Sequence, residues 1–301
     1  MSQYPLGCSL KIPNQQTAKL QKKLAKKRRS QPSSANARTQ ATIAKGYLFK
    51  PGRILTIAFK GGDYELHKDI ARWAKAWQKH ANIKFDFGHD KDKGCFRSWS
   101  RRNKNKKADI RISFESTSEN TGYWSAIGND IDQVVDGEAF YPANIPTMNY
   151  QDLRSHKKSK QRAFVLHEFG HAIGFLHEHQ SPSGKCNKEF RWEDEKGYKP
   201  KFTKKDGFIR DDNGLSPGIF RVMENKPYEW SHQQVVDNMQ MLKRDYAFAR
   251  TKFDPKSIMK YYYEPWMYIK GEKSTCYSKE ENTKLSEMDK MAAGMAYPFD
   301  D

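Results

Sequence analysis

The sequence predicts an α+β fold, and three observations carry that prediction. Strand-like and helix-like runs alternate through the first half of the chain, a histidine-rich segment at 167–177 has helical spacing, and the stretch after it is polar until a last helical run near the end. A strand, helix, strand order favours a right-handed crossover and a largely parallel sheet. At 301 residues the chain can bury a sizeable core, and a hydrophobic content of 37% with seven tryptophans and seventeen phenylalanines suits a globular fold. No run approaches the roughly 18 apolar residues of a membrane-spanning helix. The N-terminal residues also lack the apolar stretch of a Sec-type signal peptide.

The first element is a basic arm over 1–45. Residues 1–50 hold eleven lysines and arginines and no acidic side chain, in a chain of net charge +18. Ser30 to Thr42 is rich in Ser, Ala, Gln and Asn, so the arm is expected as a disordered leader, propeptide or targeting segment ahead of a folded domain over 46–301. Its run Lys22 to Arg29 (KKLAKKRR) suits contact with nucleic acid, a membrane surface or another acidic partner.

Arg53 to Phe59 (RILTIAF) is a β-branched and aromatic run that suits a buried strand. Leu66, Ile70, Trp73, Ala74 and Trp77 then recur at helical spacing, predicting a helix over about 64–80 with His67 and His80 off its apolar face and solvated. Ile83 to Gly88 and Ala108 to Glu115 follow as strands, the second with Ile110, Ile112 and Phe114 on one face. The basic stretch Arg97 to Lys107 between them is expected as an exposed loop. Thr121 to Asp130, containing Tyr123, Trp124 and Ser125, is expected as an edge strand, and Thr147 to Leu153 as one more strand. A helix is expected over 155–176, with Phe164, Val165, Phe169, Ala172 and Ile173 as its apolar belt. From His179 to Asp254 mostly irregular structure is expected, with a helix near Ser231 to Leu242. Gly184 to Gly218 reads as an insertion. Ser286 to Pro298 closes the chain as a helix, with Ser286 as N-cap and Asp289 three residues on in the first turn. Four cysteines allow three pairings; Cys186 with Cys276, in polar loops flanking residues 254–261, is the favoured pair, and Cys8 and Cys95 are left over.

Within the histidine segment the frame is H-E-x-x-H-x-x-G-x-x-H: His167, Glu168, His171, Gly174 and His177. Three neutral nitrogen ligands, a place left for water and a nearby base are what a catalytic zinc requires. His167 and His171 are four apart and share a helix face. Gly174 can take a positive φ, letting the chain turn His177 back to the same ion. Glu168, one residue round from His167, is placed to act on water without competing as a ligand.

Downstream lies Asp254-Pro255-Lys256-Ser257-Ile258-Met259-Lys260-Tyr261. Together the two motifs resemble the metzincin zinc endopeptidases, and Ser-x-Met-x-Tyr is similar to their astacin-like branch. The resemblance implies a zincin-like fold: a twisted mixed sheet with two long helices over an active-site cleft, between an upper subdomain (about 46–176) and a lower one (about 177–301). It implies one catalytic Zn2+ and a monomer that cuts internal bonds of a polypeptide lying along the edge strand at Tyr123, Trp124 and Ser125. Glu168 is then the general base, Met259 the floor under the imidazoles, and Tyr261 the phenol that stabilises the oxyanion. Glu178, after the third histidine, takes the place of a residue that meets the ammonium group of a processed N-terminus.

Two departures leave the subfamily open within a broader ZnMc-type group. Astacin-like chains usually carry an arginine soon after the third histidine, where this chain has Glu178-His179-Gln180-Ser181-Pro182. A signal peptide and the characteristic disulfides of the secreted members are not evident either. A basic leader without a Sec signal is compatible with export by another route or delivery as an effector. The competing reading is a zinc-site protein whose arm mainly binds nucleic acid or anionic surfaces, although nothing in the arm reads bases.

Overall fold

The computed structural model describes residues 43–117, 121–204, 206–240, 248–249 and 252–300. The basic arm up to residue 42, with Cys8, lies outside them. Five strands, β1 (Ile54–Lys60), β2 (Lys84–Asp86), β3 (Ile110–Ser113), β4 (Tyr123–Ser125) and β5 (Met148–Tyr150), form one sheet in the order β2-β1-β3-β5-β4. The β1–β2, β1–β3 and β3–β5 pairings are parallel. At one edge β4 runs antiparallel to β5, pairing Tyr123 with Tyr150, Trp124 with Asn149 and Ser125 with Met148. The sheet is therefore mixed, and the expected edge strand is the one at Tyr123.

Helix α1 (Tyr64–Ala74) makes the crossover from β1 to β2. Asp63 caps it by accepting from the Leu66 N–H, and Leu66, Ile70 and Trp73 are buried. His67 departs from expectation. Its ring is only half solvated: it stacks on Phe59, centroids 3.9 Å apart, with Nε2 at 2.8 Å from Gly61 O, and burial lowers its pKa. The helix starts directly over the end of β1, so a position off its apolar face still meets an aromatic side chain.

Ile110, Ile112 and Phe114 share one face along β3 against the main core, as expected, but the other face is covered too, with Arg111 and Ser113 as buried as Ile110 and Ile112. The Arg111 guanidinium donates to the carbonyls of Ala108, Tyr141, Pro142 and Ile145. The segment between β4 and β5 thus folds over the second face of the sheet, and backbone oxygens balance the buried cation.

Helix α2 (Lys158–Ala172) crosses the middle of the protein, and every residue from Ala163 to Ala172 is buried. It is three residues shorter at the start than the pattern suggested because Leu153–Ser155 forms a separate 3-10 turn. Its far end is set by Gly174, which takes φ +93°.

After α2 the polar stretch is more ordered than its composition suggested. It contains a hairpin (Lys201–Thr203 with Gly207–Ile209) and a short helix α3 (Ile219–Met223) besides the expected helix after Ser231, α4 (His232–Met239). Ser231 caps α4 in a capping box with Gln234. Phe190, Ile219, Met223, Val235, Met239 and Met267 gather with Tyr261, Tyr263 and Tyr268 into a second core, closed by the Cys186–Cys276 disulfide. Helix α5 (Glu287–Ala296), with its own capping box from Ser286 to Asp289, returns to the main core. There the Tyr297 hydroxyl donates to Ile173 O at 2.7 Å, tying the chain end to the turn that leaves α2. No helix among the described residues is long and apolar enough to cross a membrane.

Candidate metal centre

His167 and His171 project from α2, and the turn at Gly174 brings His177 to them. A side chain at Gly174 would meet Leu48 and press on Tyr47 O as well as strain the backbone, so glycine is required on two counts. One ligand nitrogen from each of the three rings lies within 4.8 Å of the others, and all three rings are buried.

The hydrogen bonds fix the tautomers. Each Nδ1 faces an acceptor: Ile258 O at 2.8 Å for His167, Phe175 O at 2.8 Å for His171, and Gln180 Oε1 at 3.1 Å for His177. Each Nδ1 therefore carries the proton and each Nε2 presents a lone pair. His171 Nε2 and His177 Nε2 are 3.0 Å apart, while His167 Nε2 is buried without a hydrogen-bond partner. Bare lone pairs facing one another in a buried site repel unless a cation lies between them. Burial holds His167 neutral, its pKa pushed down to about 4, and pushes His171 and His177 well below the ordinary value, helped by the charge each ring would place on its neighbours. Three neutral imidazoles with converging Nε2 atoms fit a zinc-type ion with one coordination position left over.

Glu168 is buried beside His167, and its charge contributes, after burial and Asp152, to raising the pKa of the Tyr123 phenol. The carboxylate thus lies towards the edge strand. Tyr123 itself is half-buried, its hydroxyl 2.9 Å from His156 Nε2 and its ring stacked on Phe164; the side chains of Trp124 and Ser125 are buried.

Met259 lies under α2 against Gly170, where a Cβ would come within 2.4 Å of the methionine sulfur. Glu178 fastens this turn from two sides: its N–H donates to Met259 O and its Oε1 accepts from the Asp254 N–H, both at 3.0 Å. Of the three consecutive tyrosines, Tyr261 is the one against the imidazoles, its ring centroid 4.3 Å from that of His177 and 5.3 Å from that of His167. Tyr263 meets His179 Nε2 through its hydroxyl at 3.1 Å.

Sequence reasoning missed several residues around the site. Asp289, at the start of α5, accepts from the Ser257 hydroxyl (2.6 Å) and the Ile258 N–H (2.8 Å), so it holds the segment whose carbonyl orients His167. Burial raises its pKa to about 6, with the Asp254 charge adding and the hydrogen bonds opposing. Lys260, between Met259 and Tyr261, is buried with its Nζ donating to Tyr261 O at 3.0 Å, and burial pulls its pKa down to about 7. His179 and Gln180 both bond the end of α4. The spacing of Ser286 and Asp289 was visible as a helix start; nothing local signalled the others.

Sheet, crossing helix and three-histidine cluster together define a zincin-like fold. Among solved structures the chain is similar to myroilysin. One such structure aligns at a TM-score of 0.59 with 22% identity over 86% of this chain and 100% of the other, and a second at 0.50 with 20% identity over 98% and 100%. High choriolytic enzyme 1, a hatching enzyme zinc-protease from Oryzias latipes (Medaka fish), aligns over 88% of this chain and 98% of the other at 13% identity; its TM-score of 0.40 is too low to carry an argument. No protein-family model matches the chain, and no curated protein matches it by sequence.

Proposed function

We propose that the chain is a zinc-dependent endopeptidase that hydrolyses internal peptide bonds of polypeptides. The observation that supports this reading is the convergence of three buried Nε2 atoms, tautomers fixed, with Glu168 buried next to His167 on the same helix. His167, His171 and His177 would hold the ion, and zinc in such a site supplies Lewis acidity that makes water a nucleophile at neutral pH and polarises a carbonyl. Glu168 takes the proton of the attacking water and passes it to the leaving amine. The Tyr261 hydroxyl donates to the developing oxyanion. An extended substrate adds as a strand to the β4 edge, with Tyr123 facing it through its ring and Trp124 and Ser125 contributing through their backbone.

Cleavage of denatured protein by wild type and Glu168→Ala, with zinc content measured in both, tests the assignment. Turnover is expected to vanish in the variant while zinc remains; undiminished peptidase activity would refute it. Tyr261→Phe is expected to lower kcat more than it changes KM, and an unchanged kcat removes Tyr261 from the mechanism.

A further inference from the structure

We propose that Gln180 is the positioning residue of the third histidine and that through it the metal centre is coupled to helix α4; the proposal rests on the zinc reading above. Gln180 Nε2 lies 2.8 Å from Asp237 O and 2.9 Å from Gln240 O. Backbone carbonyls only accept, so the amide nitrogen must face them and the amide oxygen must face His177 Nδ1. That orientation demands a proton on Nδ1, which leaves Nε2 of His177 free for the ion.

The demand originates in α4. A helix leaves its last carbonyls without intrahelical donors. Gln180 supplies two of the missing donors, and His179 Nε2 supplies a third by donating to Asn238 O at 2.9 Å. The other two ligands rest on backbone oxygens, Ile258 O and Phe175 O. Of the three, His177 alone takes its orientation from a side chain, and that side chain is held by another helix. Filling the metal site therefore steadies the end of α4, and loosening α4 releases His177. The two effects are one coupling free energy seen from either end.

The experiment uses the full chain as wild type, Gln180→Leu and Gln180→Glu. Zinc affinity is measured by competition with a chromophoric chelator, and amide hydrogen exchange of residues 232–239 is followed with and without zinc. Gln180→Leu removes both halves of the link. It is expected to weaken zinc binding by about 10- to 100-fold and to abolish zinc-dependent protection of α4. Gln180→Glu keeps an acceptor for His177 but cannot donate to the carbonyls. Its zinc affinity is expected to fall less than that of Gln180→Leu, because an acceptor for Nδ1 remains, while the protection of α4 is lost. A general loss of packing would not separate the two readouts.

Val235→Ala approaches from the other end, thinning the buried face of α4 without touching the amide, and is expected to lower zinc affinity. Wild-type zinc affinity in both Gln180→Leu and Val235→Ala overturns the coupling, as does full zinc-dependent protection of α4 in Gln180→Glu. A wild-type chain that takes up no zinc overturns the metal-centre reading, and the coupling falls with it.

Discussion

If Met259 is the floor of the metal centre, Gly170→Ala should disturb it in a way that Met259→Ala relieves. A Cβ at Gly170 would sit 2.4 Å from Met259 Sδ, 3.2 Å from its Cε and 3.1 Å from Trp77 Cζ2. Comfortable contacts between such atoms are about 3.5–4.0 Å, so the sulfur must retreat by more than about 1 Å. Trp77 gives little room, being fully buried with its indole N–H donating to Leu166 O at 2.9 Å. Forcing a methyl group into a packed core costs about 1–3 kcal/mol, and truncating a buried methionine costs about 2–5 kcal/mol. In the double variant the new methyl enters space the sulfur has left. The double cost is therefore expected to fall short of the sum by about 1–2 kcal/mol. Urea unfolding followed by tryptophan fluorescence on all four proteins, zinc-loaded and zinc-free, measures that coupling. Additivity within about 0.5 kcal/mol would refute the reasoning, since it would mean that the sulfur and the helix do not compete for the same space.

Three further predictions rest on other residues. Lys260→Met should stabilise the protein. The gap between 10.5 and about 7 corresponds, at about 1.36 kcal/mol per decade, to at most about 5 kcal/mol. Because the folded pKa is depressed, the lysine's penalty is absent above pH 10.5 and complete below about 7, so unfolding midpoints of the two proteins should diverge as pH falls through that window. Gly128→Ala should destabilise strongly, by about 3 kcal/mol or more, because φ is +46° and the new Cβ would lie 1.9 Å from Tyr47 O; thermal unfolding reads the loss. Zinc-free protein should lose about 3 kcal/mol through His167 alone as pH falls from 6.5 to about 4. Here the unfolded chain binds the extra proton, so the contribution is present above 6.5; Asp289, with its raised pKa, offsets part of the loss. Urea midpoints of zinc-free protein at pH 7 and 4.5 test the sign.

What was legible in the sequence follows the range of the interactions that specify it. His167 and His171 were readable because helical period alone puts them on one face, and Gly174 because one residue type suits the turn. The Ser286–Asp289 cap was readable for the same local reason. Strand β4 was expected over 121–130, but only Tyr123–Ser125 pairs, because Gly128–Asp132 turns into a 3-10 helix. The second core was not readable, because Ile219, Val235 and Met267 follow no single period and meet only through tertiary packing and the Cys186–Cys276 bridge. Arg111 was hidden because its four acceptors are backbone oxygens, three of them in the segment between β4 and β5 that carries no periodic signal. Gln180 and Asp289 were hidden as partners of the metal centre because a hydrogen bond across 57 or 31 residues leaves no mark on spacing.

The same distinction orders the assembly of the metal centre. His171 Nδ1 finds its acceptor at Phe175, four residues on, so its tautomer is fixed once α2 ends and the chain turns. His167 must wait for Ile258, which is held in place by Asp289 of α5. His177 must wait for Gln180, which is oriented by α4. A chain with an intact histidine motif but no lower core would fix one imidazole of three. The eleven-residue motif names the candidate ligands, but the 124 residues after it bring them together, so an ion bound there would also hold the second core against the first.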